Sequence, residues 1–195
     1  MPLPSQRQQT FAYRDYLSWP ENYSVELLDG AVFDMSMSPA PSRRHQQVSG
    51  ELFKQIAVFL TGKPCKVYSA PFDVRLPDEE EADDEVRTVV QPDILVVCDE
   101  SKLDERGCRG APDVVVEVVS PATAAKDQIH KVRIYEKAGV REYWIVHPVD
   151  NLITVRRLSP SGNYDVPKLI EGKGALEVGV LPGLVIDLDA VFDSP

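Results

Sequence analysis

The sequence predicts an α/β protein in which helices flank a mixed β-sheet, and three observations lead to this prediction. Residues 42–60 carry apolar side chains at steps of four, which is typical of a helix with one buried face. Residues 114–119 form a nearly pure apolar run, which is typical of a strand covered on both faces. Further strand-like runs and a second helical segment surround these two elements along the chain.

The N-terminal part predicts a short helix over residues 8–17, ended by Pro20, and then a β-hairpin that reaches residue 37. The hairpin prediction depends on Asp29-Gly30, a dipeptide that favours a tight two-residue turn between two extended runs. We therefore expect a helix and a hairpin before the first long helix.

The long helix is expected to begin after Ser42, whose hydroxyl can accept a hydrogen bond from the first helical turn. Its buried face would carry four apolar residues at steps of four, namely Val48, Leu52, Ile56 and Leu60. Gly62 and Pro64 are expected to end this helix, because neither residue favours a helix interior.

The central strands are expected at residues 66–76, 86–90, 94–98 and 114–119. Residues 78–85 contain seven acids in eight positions and interrupt this run of strands. A segment with so many like charges is most simply a solvated hairpin loop.

A second helix is expected from Thr123 to about Lys137, with Gly139 as its C-terminal stop. Strands at 142–146 and 152–158 would follow, joined across a polar turn. The last residues consist of short strand-like pieces around Gly and Pro.

The length of the chain predicts one domain over residues 1–195. Within it we expect a core at about 42–147, an N-terminal helix and hairpin at 8–37, and a C-terminal β extension at 152–192.

The net charge of −10 would disfavour a nucleic-acid partner if it were spread evenly, because phosphate binding depends on Lys and Arg. It is not spread evenly. Without residues 78–85 the charge is −3, whereas residues 42–66 carry +4 and residues 121–141 carry +3. The overall charge therefore excludes no partner.

The chain has no apolar run near the roughly 18 residues of a membrane span, and its N-terminus lacks a secretory signal. Its three cysteines, Cys65, Cys98 and Cys108, cannot all pair, and none sits at metal-ligand spacing. We therefore expect a reduced, cytoplasmic protein with no membrane partner.

Two carboxylates are the first candidates for chemistry. Glu117 lies within the apolar run 114–119, where a buried carboxylate costs several kcal/mol unless it is paired or binds a metal. Asp93 follows Pro92 at the start of the neighbouring strand. Together they could hold Mg²⁺, which takes one or two carboxylates and completes its coordination with water and phosphate oxygens. The alternatives are a structural ion pair for Glu117 and a turn-forming role for Asp93.

The second helix supplies the candidate cation. At about 100° per residue, four bases form one narrow stripe that is expected to face solvent, and they are Lys126, His130, Arg133 and Lys137. Lys131 lies roughly 130° away from that stripe and points toward the sheet. Its alternative role is a weak pair with Asp127. An Asp, a Glu and an inward Lys at one sheet edge indicate metal-assisted phosphodiester cleavage.

The same residues carry a resemblance to a known family. The motifs are Gln91-Pro92-Asp93, Ala111-Pro112-Asp113, Glu117-Val118-Val119-Ser120-Pro121, Asp127 with Lys131, Tyr135, and Gly139-Val140-Arg141-Glu142-Tyr143-Trp144. Together with the hairpin around Glu26 and with His45, they resemble the Uma-two family of restriction-endonuclease-like proteins in the PD-(D/E)XK superfamily. The similarity spans about residues 23–188.

The resemblance implies a restriction-endonuclease-like core that binds Mg²⁺ or Mn²⁺ and cleaves nucleic acid, with DNA as the expected substrate. Asp93 and Glu117 match the two motif acids. The standard motif lysine would stand at position 119, which is Val119 here, so the resemblance implies that Lys131 replaces it, with Lys126 as the fallback. Glu26, His45, Asp127 and Tyr135 would support the site. Glu26 and His45 could each supply a further ligand or hydrogen bond, or only cap and anchor the hairpin.

Two other functions remain open at this point. The missing lysine at position 119 and the net charge favour a non-catalytic binding or regulatory protein on the same scaffold. A carboxylate pair of the glycosidase kind is the third alternative, which no cluster of aromatics supports. Since cutting both strands of a duplex usually needs two active sites, we expect a homodimer, with Tyr143, Trp144 and the C-terminal strands as a possible interface.

Overall fold

The computed structural model describes residues 10–20, 25–34, 40–120 and 126–193. The helices are α1 (Tyr13–Tyr16), α2 (Arg43–Leu60), α3 (Val132–Ala138) and α4 (Leu188–Phe192). The strands are β1 (Val25–Leu28), β2 (Ala31–Asp34), β3 (Lys66–Ser69), β4 (Val74–Arg75), β5 (Val89–Val90), β6 (Ile94–Val97), β7 (Leu103–Asp104), β8 (Gly107–Arg109), β9 (Val114–Val118), β10 (Glu142–His147), β11 (Leu152–Arg157), β12 (Lys168–Glu171), β13 (Ala175–Glu177) and β14 (Val185–Asp187). Short 3₁₀ turns span Asp83–Glu85 and Glu100–Lys102, and a π-helix spans Lys126–Lys131.

The strands of the described residues form two six-stranded sheets and one two-stranded sheet. The central sheet has the order β12-β11-β10-β9-β6-β3, in which β9 and β10 are parallel and the other pairs are antiparallel. The second sheet has the order β2-β1-β5-β4-β8-β7. Mixed sheets flanked by helices confirm the predicted α/β class.

The two faces of the central sheet pack against different helices. Alternate residues of β9, such as Val114 and Val116, join the buried face of α2 in one apolar cluster. Val115 joins a second cluster, on the side of α3, which contains Tyr135. Burying one Val or Leu side chain completely stabilises the folded state by about 1.5–3 kcal/mol relative to leaving it exposed. Because side chains alternate along a strand, Glu117 lies on the face of α3.

Two local predictions are confirmed in detail. Asp29 and Gly30 have φ angles of 52° and 82°, as a two-residue hairpin turn with left-handed central residues requires. The hydroxyl of Ser42 accepts a hydrogen bond from the backbone N–H of His45 at 3.2 Å, so it caps α2 as predicted. The four predicted apolar residues of α2 are all buried.

The run 66–76, predicted as one strand, is divided between the two sheets. β3 pairs with β6 in the central sheet, whereas β4 pairs with β5 and β8 in the second sheet. Pro71 lies between the two strands and has no N–H to continue a ladder. The chain leaves the central sheet there, a change that alternation of apolar residues could not reveal.

The acidic stretch 78–85 connects β4 to β5 as a hairpin loop, as predicted, but it is not simply solvated. Asp83 pairs with the guanidinium of Arg75 at 2.7 Å, and the Arg75 side chain is fully buried. Arg75 also pairs with Asp104 at 2.6 Å. Glu81 pairs with Arg87 at 3.0 Å, so bases from several elements neutralise part of this charge.

The second helix also departs from the prediction. Its expected start at Thr123 lies outside the described residues, and the described part begins as the π-helix Lys126–Lys131 before α3. Gly139, with a φ angle of 89°, ends α3 as predicted. At the C-terminus, the predicted run of short strands ends instead in the helix α4, which packs on α2.

The cysteines differ from the expectation of a fully reduced chain. All three lie within the described residues, and Cys65 and Cys98 form a disulfide, because β3 and β6 place them opposite each other just beyond the paired residues. Cys108 is free and buried. Tyr143 and Trp144 are also buried within the protomer, so the prediction that they form a dimer interface is wrong. No helix among the described residues is long and apolar enough to cross a membrane.

Candidate active site

Glu117 lies near the end of β9, and its side chain is only 6% exposed. One oxygen, Oε1, accepts a hydrogen bond from the Lys131 ammonium at 2.7 Å and another from the Tyr135 hydroxyl at 2.9 Å. A buried carboxylate without such partners would cost several kcal/mol. The buried strand thus holds an ionised carboxylate at a fixed position.

Lys131 is the last residue of the π-helix, and its side chain is 2% exposed. Its ammonium lies 2.7 Å from Glu117 Oε1 and 2.8 Å from Glu26 Oε1, so it bridges two carboxylates from different sheets. The inward direction of Lys131 agrees with the sequence prediction. The 100° rule used there does not hold for a π-helix, whose hydrogen bonds span five residues and which occurs frequently at functional sites.

Glu26 lies in β1, where all four residues are buried. Its Oε1 accepts hydrogen bonds from the Lys131 ammonium and from the backbone N–H of Gln91 at 2.9 Å. Gln91 begins the segment that leads to Asp93. Glu26 therefore connects the N-terminal hairpin to Lys131 and to the segment that leads to Asp93.

Asp93 immediately precedes β6. The register Ile94↔Val116 places Asp93 next to Glu117, where the start of β6 meets the end of β9. Its Oδ2 accepts a hydrogen bond from the backbone N–H of Val118 at 2.7 Å. The Asp93 side chain is 24% exposed, and Oδ1 makes no hydrogen bond with a described residue. This is the carboxylate through which the site opens to solvent.

His45 and Tyr135 flank the two motif acids. Nε2 of His45, in the first turn of α2, lies 3.4 Å from Asp93 Oδ2. Burial, and then the negative charge of Glu117, raise the pKa of the Tyr135 hydroxyl well above its ordinary value of 10.0. Tyr135 therefore remains protonated and keeps donating to Glu117.

Two of the candidate side chains, Asp127 and Lys126, lie outside the described side chains, so the Asp127–Lys131 pair and the fallback lysine stay predictions. Three bases of the predicted solvent stripe, His130, Arg133 and Lys137, are exposed as expected. The structure thus separates Lys131 from the exposed bases of the same helical segment.

Sequence reasoning missed a polar cluster behind Gln91. The Gln91 side chain donates to Asp73 Oδ1 at 2.8 Å, and the Tyr16 hydroxyl donates to the same oxygen at 3.0 Å. Burial and the nearby Asp73 carboxylate raise the pKa of Tyr16. Gln91 stood in a quoted motif, but Asp73 and Tyr16 are isolated polar residues far apart in sequence, which no pattern marks.

The donor set limits which metal the site could take. Among the described residues, no group of three or more His, Cys, Asp or Glu side chains is arranged to hold a metal ion. Asp93 and Glu117 supply two hard carboxylates, and Oδ1 of Asp93 accepts no hydrogen bond from a described residue. Mg²⁺ is held by one or two carboxylates with water completing its shell, so this set fits Mg²⁺ but not a closed structural zinc site.

Three comparisons relate the chain to known proteins. Residues 13–189 match the family Uma2, the Uma-two family named above, which is described as "Putative restriction endonuclease". The chain is 26% identical over 153 residues to the "Uncharacterized protein slr1290" of Synechocystis sp. (strain ATCC 27184 / PCC 6803 / Kazusa), a match that covers 77% of this chain and 75% of that protein.

The fold is similar to a solved structure, a "putative nuclease belonging to DUF820" from Anabaena variabilis ATCC 29413. The TM-score is 0.73 at 16% sequence identity, and the match covers 94% of this chain and 98% of the other. At this identity the likeness concerns the fold, and it extends over nearly the whole chain.

Proposed function

Because the chain belongs to the Uma2 family, as the match over residues 13–189 shows, we propose that it is an endonuclease that hydrolyses phosphodiester bonds of DNA with the help of Mg²⁺. The observation that carries the proposal is the contact of the Lys131 ammonium with Glu117 at 2.7 Å, beside Asp93 at one sheet edge. Two acids that could hold a metal ion and one inward lysine that could stabilise charge on the phosphate form a set suited to metal-assisted phosphodiester cleavage.

Asp93 and Glu117 are the residues that would hold Mg²⁺ or Mn²⁺. When bound, the ion supplies positive charge to the phosphate and lowers the pKa of a water molecule. Asp93 offers Oδ1, which accepts no hydrogen bond from the part of the chain that the structure describes, while the hydrogen bond from Val118 N–H fixes its other oxygen. His45 limits the rotation of the same carboxylate from the side of α2.

Lys131 would act on the reacting phosphate. Its ammonium is held by Glu26 and Glu117, so the charge is already placed before the substrate arrives. A fixed ammonium stabilises the negative charge that develops on the phosphate oxygens during cleavage. Tyr135 keeps Glu117 in place from the opposite side.

A second candidate function is a DNA-binding protein without cleavage. The observation that favours it is that Lys131 already neutralises two buried carboxylates, while position 119 holds Val119 rather than the motif lysine. In this case the cluster would chiefly stabilise the fold.

A cleavage assay with single-stranded, duplex and plasmid DNA in the presence of Mg²⁺ separates the two functions. We expect cleavage by the wild type, loss of at least about 100-fold in Lys131→Met and Glu117→Gln, and loss of Mg²⁺ binding by calorimetry in Asp93→Asn. Lys137→Met is the matched control, because it removes an exposed lysine of the same helix. Mg²⁺ binding without cleavage of any DNA would favour the second function.

We also propose that the nuclease is a homodimer, since cutting both strands of a duplex usually needs two active sites. The edge of the central sheet supports this, because β12 is an edge strand whose Leu169 is 66% exposed, and nearby Val166 is 87% exposed. Sedimentation of the wild type and of Val166→Asp with Leu169→Asp tests it. A monomeric wild type would contradict the dimer without affecting the cleavage proposal.

A further inference from the structure

Two aromatic rings lie beside the catalytic cluster and have no part in the mechanism above. The ring of Phe33 in β2 lies 6.1 Å from the ring of His130, centroid to centroid. Phe33 is directly opposite Glu26 in the hairpin, so both side chains lie on the same face. His130 immediately precedes Lys131. Phe33 is therefore a neighbour of Glu26, which accepts a hydrogen bond from the Lys131 ammonium, and His130 is the neighbour of Lys131 in sequence.

The two rings differ in exposure in a way that suits a stacked ligand. Phe33 is half-buried and packs on the cluster that contains Tyr135, whereas His130 is exposed. The two ring planes are tilted by 48°, so Phe33 contacts the imidazole from the side of the core, and His130 is the exposed member of the pair. Ile129, 56% exposed, extends the apolar surface along the same helix.

A basic residue lies on the same exposed surface as His130, one turn further along the helix. Arg133 lies three residues after His130 and is exposed, and it forms no ion pair with a described residue. Lys137, one further turn along, is paired with Asp78 at 2.7 Å. The described surface next to the site therefore offers an aromatic face and one unpaired guanidinium, in that order from the catalytic cluster.

We propose that His130, supported by Phe33, stacks against an unpaired nucleobase of the nucleotide next to the scissile phosphate, with Arg133 on the following phosphate. The proposal rests on the proposed nuclease function. In a duplex both faces of a base are covered by its neighbours, so a ring platform of this kind selects a base that has left the stack. The preferred substrate is then single-stranded DNA, or DNA opened at the position of cleavage.

Binding without metal tests the subsite separately from catalysis. Fluorescence anisotropy in EDTA compares a fluorescein-labelled single strand, the same strand in a blunt duplex, and the same strand carrying abasic positions. We expect the wild type to prefer the normal single strand. His130→Gln should weaken that binding roughly tenfold, because one base–aromatic stack is lost, and should change duplex or abasic binding far less.

Further variants show whether a loss of binding comes from lost stacking, from lost charge or from unfolding of the protein. His130→Phe keeps a ring without an ionisable group and should retain single-strand binding, and Phe33→Leu should reduce it. Thr61→Ala is the control, an exposed residue that follows the C-terminal end of α2, a full helix length away from His45, and it is expected to bind as the wild type does. Thermal unfolding checks that each variant is folded.

The outcomes distinguish the subsite from the nuclease. If His130→Gln and His130→Phe lose the same affinity, or if the abasic strand binds as well as the normal strand, the stacking subsite is wrong even where DNA is cleaved. If single-strand preference and its loss in His130→Gln are found but no DNA is cleaved, the subsite stands and the nuclease function fails.

Discussion

At the scale of single residues, the unusual feature is a lysine buried between two carboxylates. Lys131 is 2% exposed, and Glu26 and Glu117 are each almost as deeply buried. Breaking a buried charge pair by removing one partner costs about 3–5 kcal/mol, because the remaining charge has no solvent to stabilise it. Variants of this cluster therefore need a stability measurement beside every activity measurement.

Tyr135→Phe tests the hydrogen bond to Glu117 with little change in volume. Its loss should reduce the free energy of unfolding by about 1.5–3 kcal/mol, since the acceptor is charged and buried. Urea unfolding measures this. Tyr164→Phe is the matched control, because the buried Tyr164 hydroxyl has no hydrogen-bond partner among the described residues, and its removal should change stability by less than about 0.5 kcal/mol. Equal losses in the two variants would contradict the role given to Tyr135.

The same tyrosine predicts a dependence on alkaline pH. The folded pKa of Tyr135 is raised above the unfolded value of 10.0, so the folded state favours the protonated hydroxyl. This contribution to stability is complete below pH 10.0 and decreases as the pH rises above it. The free energy of unfolding should therefore fall less steeply above that pH in Tyr135→Phe than in the wild type. Parallel curves would show that Tyr135 does not titrate in this way.

At the scale of elements, the N-terminal hairpin carries Glu26 into the site. Its turn is closely packed, because a Cβ at Gly30 would lie 3.1 Å from Thr10 Cβ and 3.2 Å from the carbonyl oxygen of Phe11. The φ angle of Gly30 is also one that side chains rarely adopt. The position of Glu26 thus depends on a turn that only glycine accommodates without strain.

Gly30→Ala should destabilise the protein by about 1–3 kcal/mol, and it should lower cleavage because Glu26 holds Lys131. Gly50→Ala in α2 is the matched control. No atom lies within 4 Å of a Cβ built there, and the helix favours alanine by about 0.5–1 kcal/mol, so this variant should be slightly more stable. Thermal unfolding measures both. If Gly50→Ala also destabilised the protein, the effect of Gly30→Ala could not be assigned to the close packing and positive φ angle at Gly30.

At the scale of the whole molecule, charge is arranged so that acids outside the site have structural roles. Arg75 is fully buried and pairs with Asp83 from the acidic loop and with Asp104 from β7. Asp83→Asn should lower the free energy of unfolding by about 2–4 kcal/mol, because it removes one of the two charges that compensate Arg75. Asp84→Asn, at the exposed neighbour, should change it by less than about 0.5 kcal/mol. Urea unfolding of the two variants tests this, and equal effects would contradict the role of Arg75.

The amino-acid sequence by itself determined the elements whose signals are local. The Asp29-Gly30 turn, the Ser42 cap and buried face of α2, the buried Glu117 in β9, and the end of α3 at Gly139 follow from backbone sterics and apolar periodicity within a few residues. The sequence also predicts the two motif acids and the inward direction of Lys131, whose catalytic roles stay proposals.

Tertiary structure decided what depends on contacts between distant residues. The Lys131–Glu26 pair joins residues 105 apart, Arg75 joins Asp83 to Asp104, and residues 66–76 are shared between two sheets. The pairing of Cys65 with Cys98 also depends on the register of β3 against β6. A local sequence pattern shows that a side chain is buried or charged. Which residue pairs with that side chain depends on how whole helices and strands pack, and the packing energy is a sum of contacts over the entire sheet.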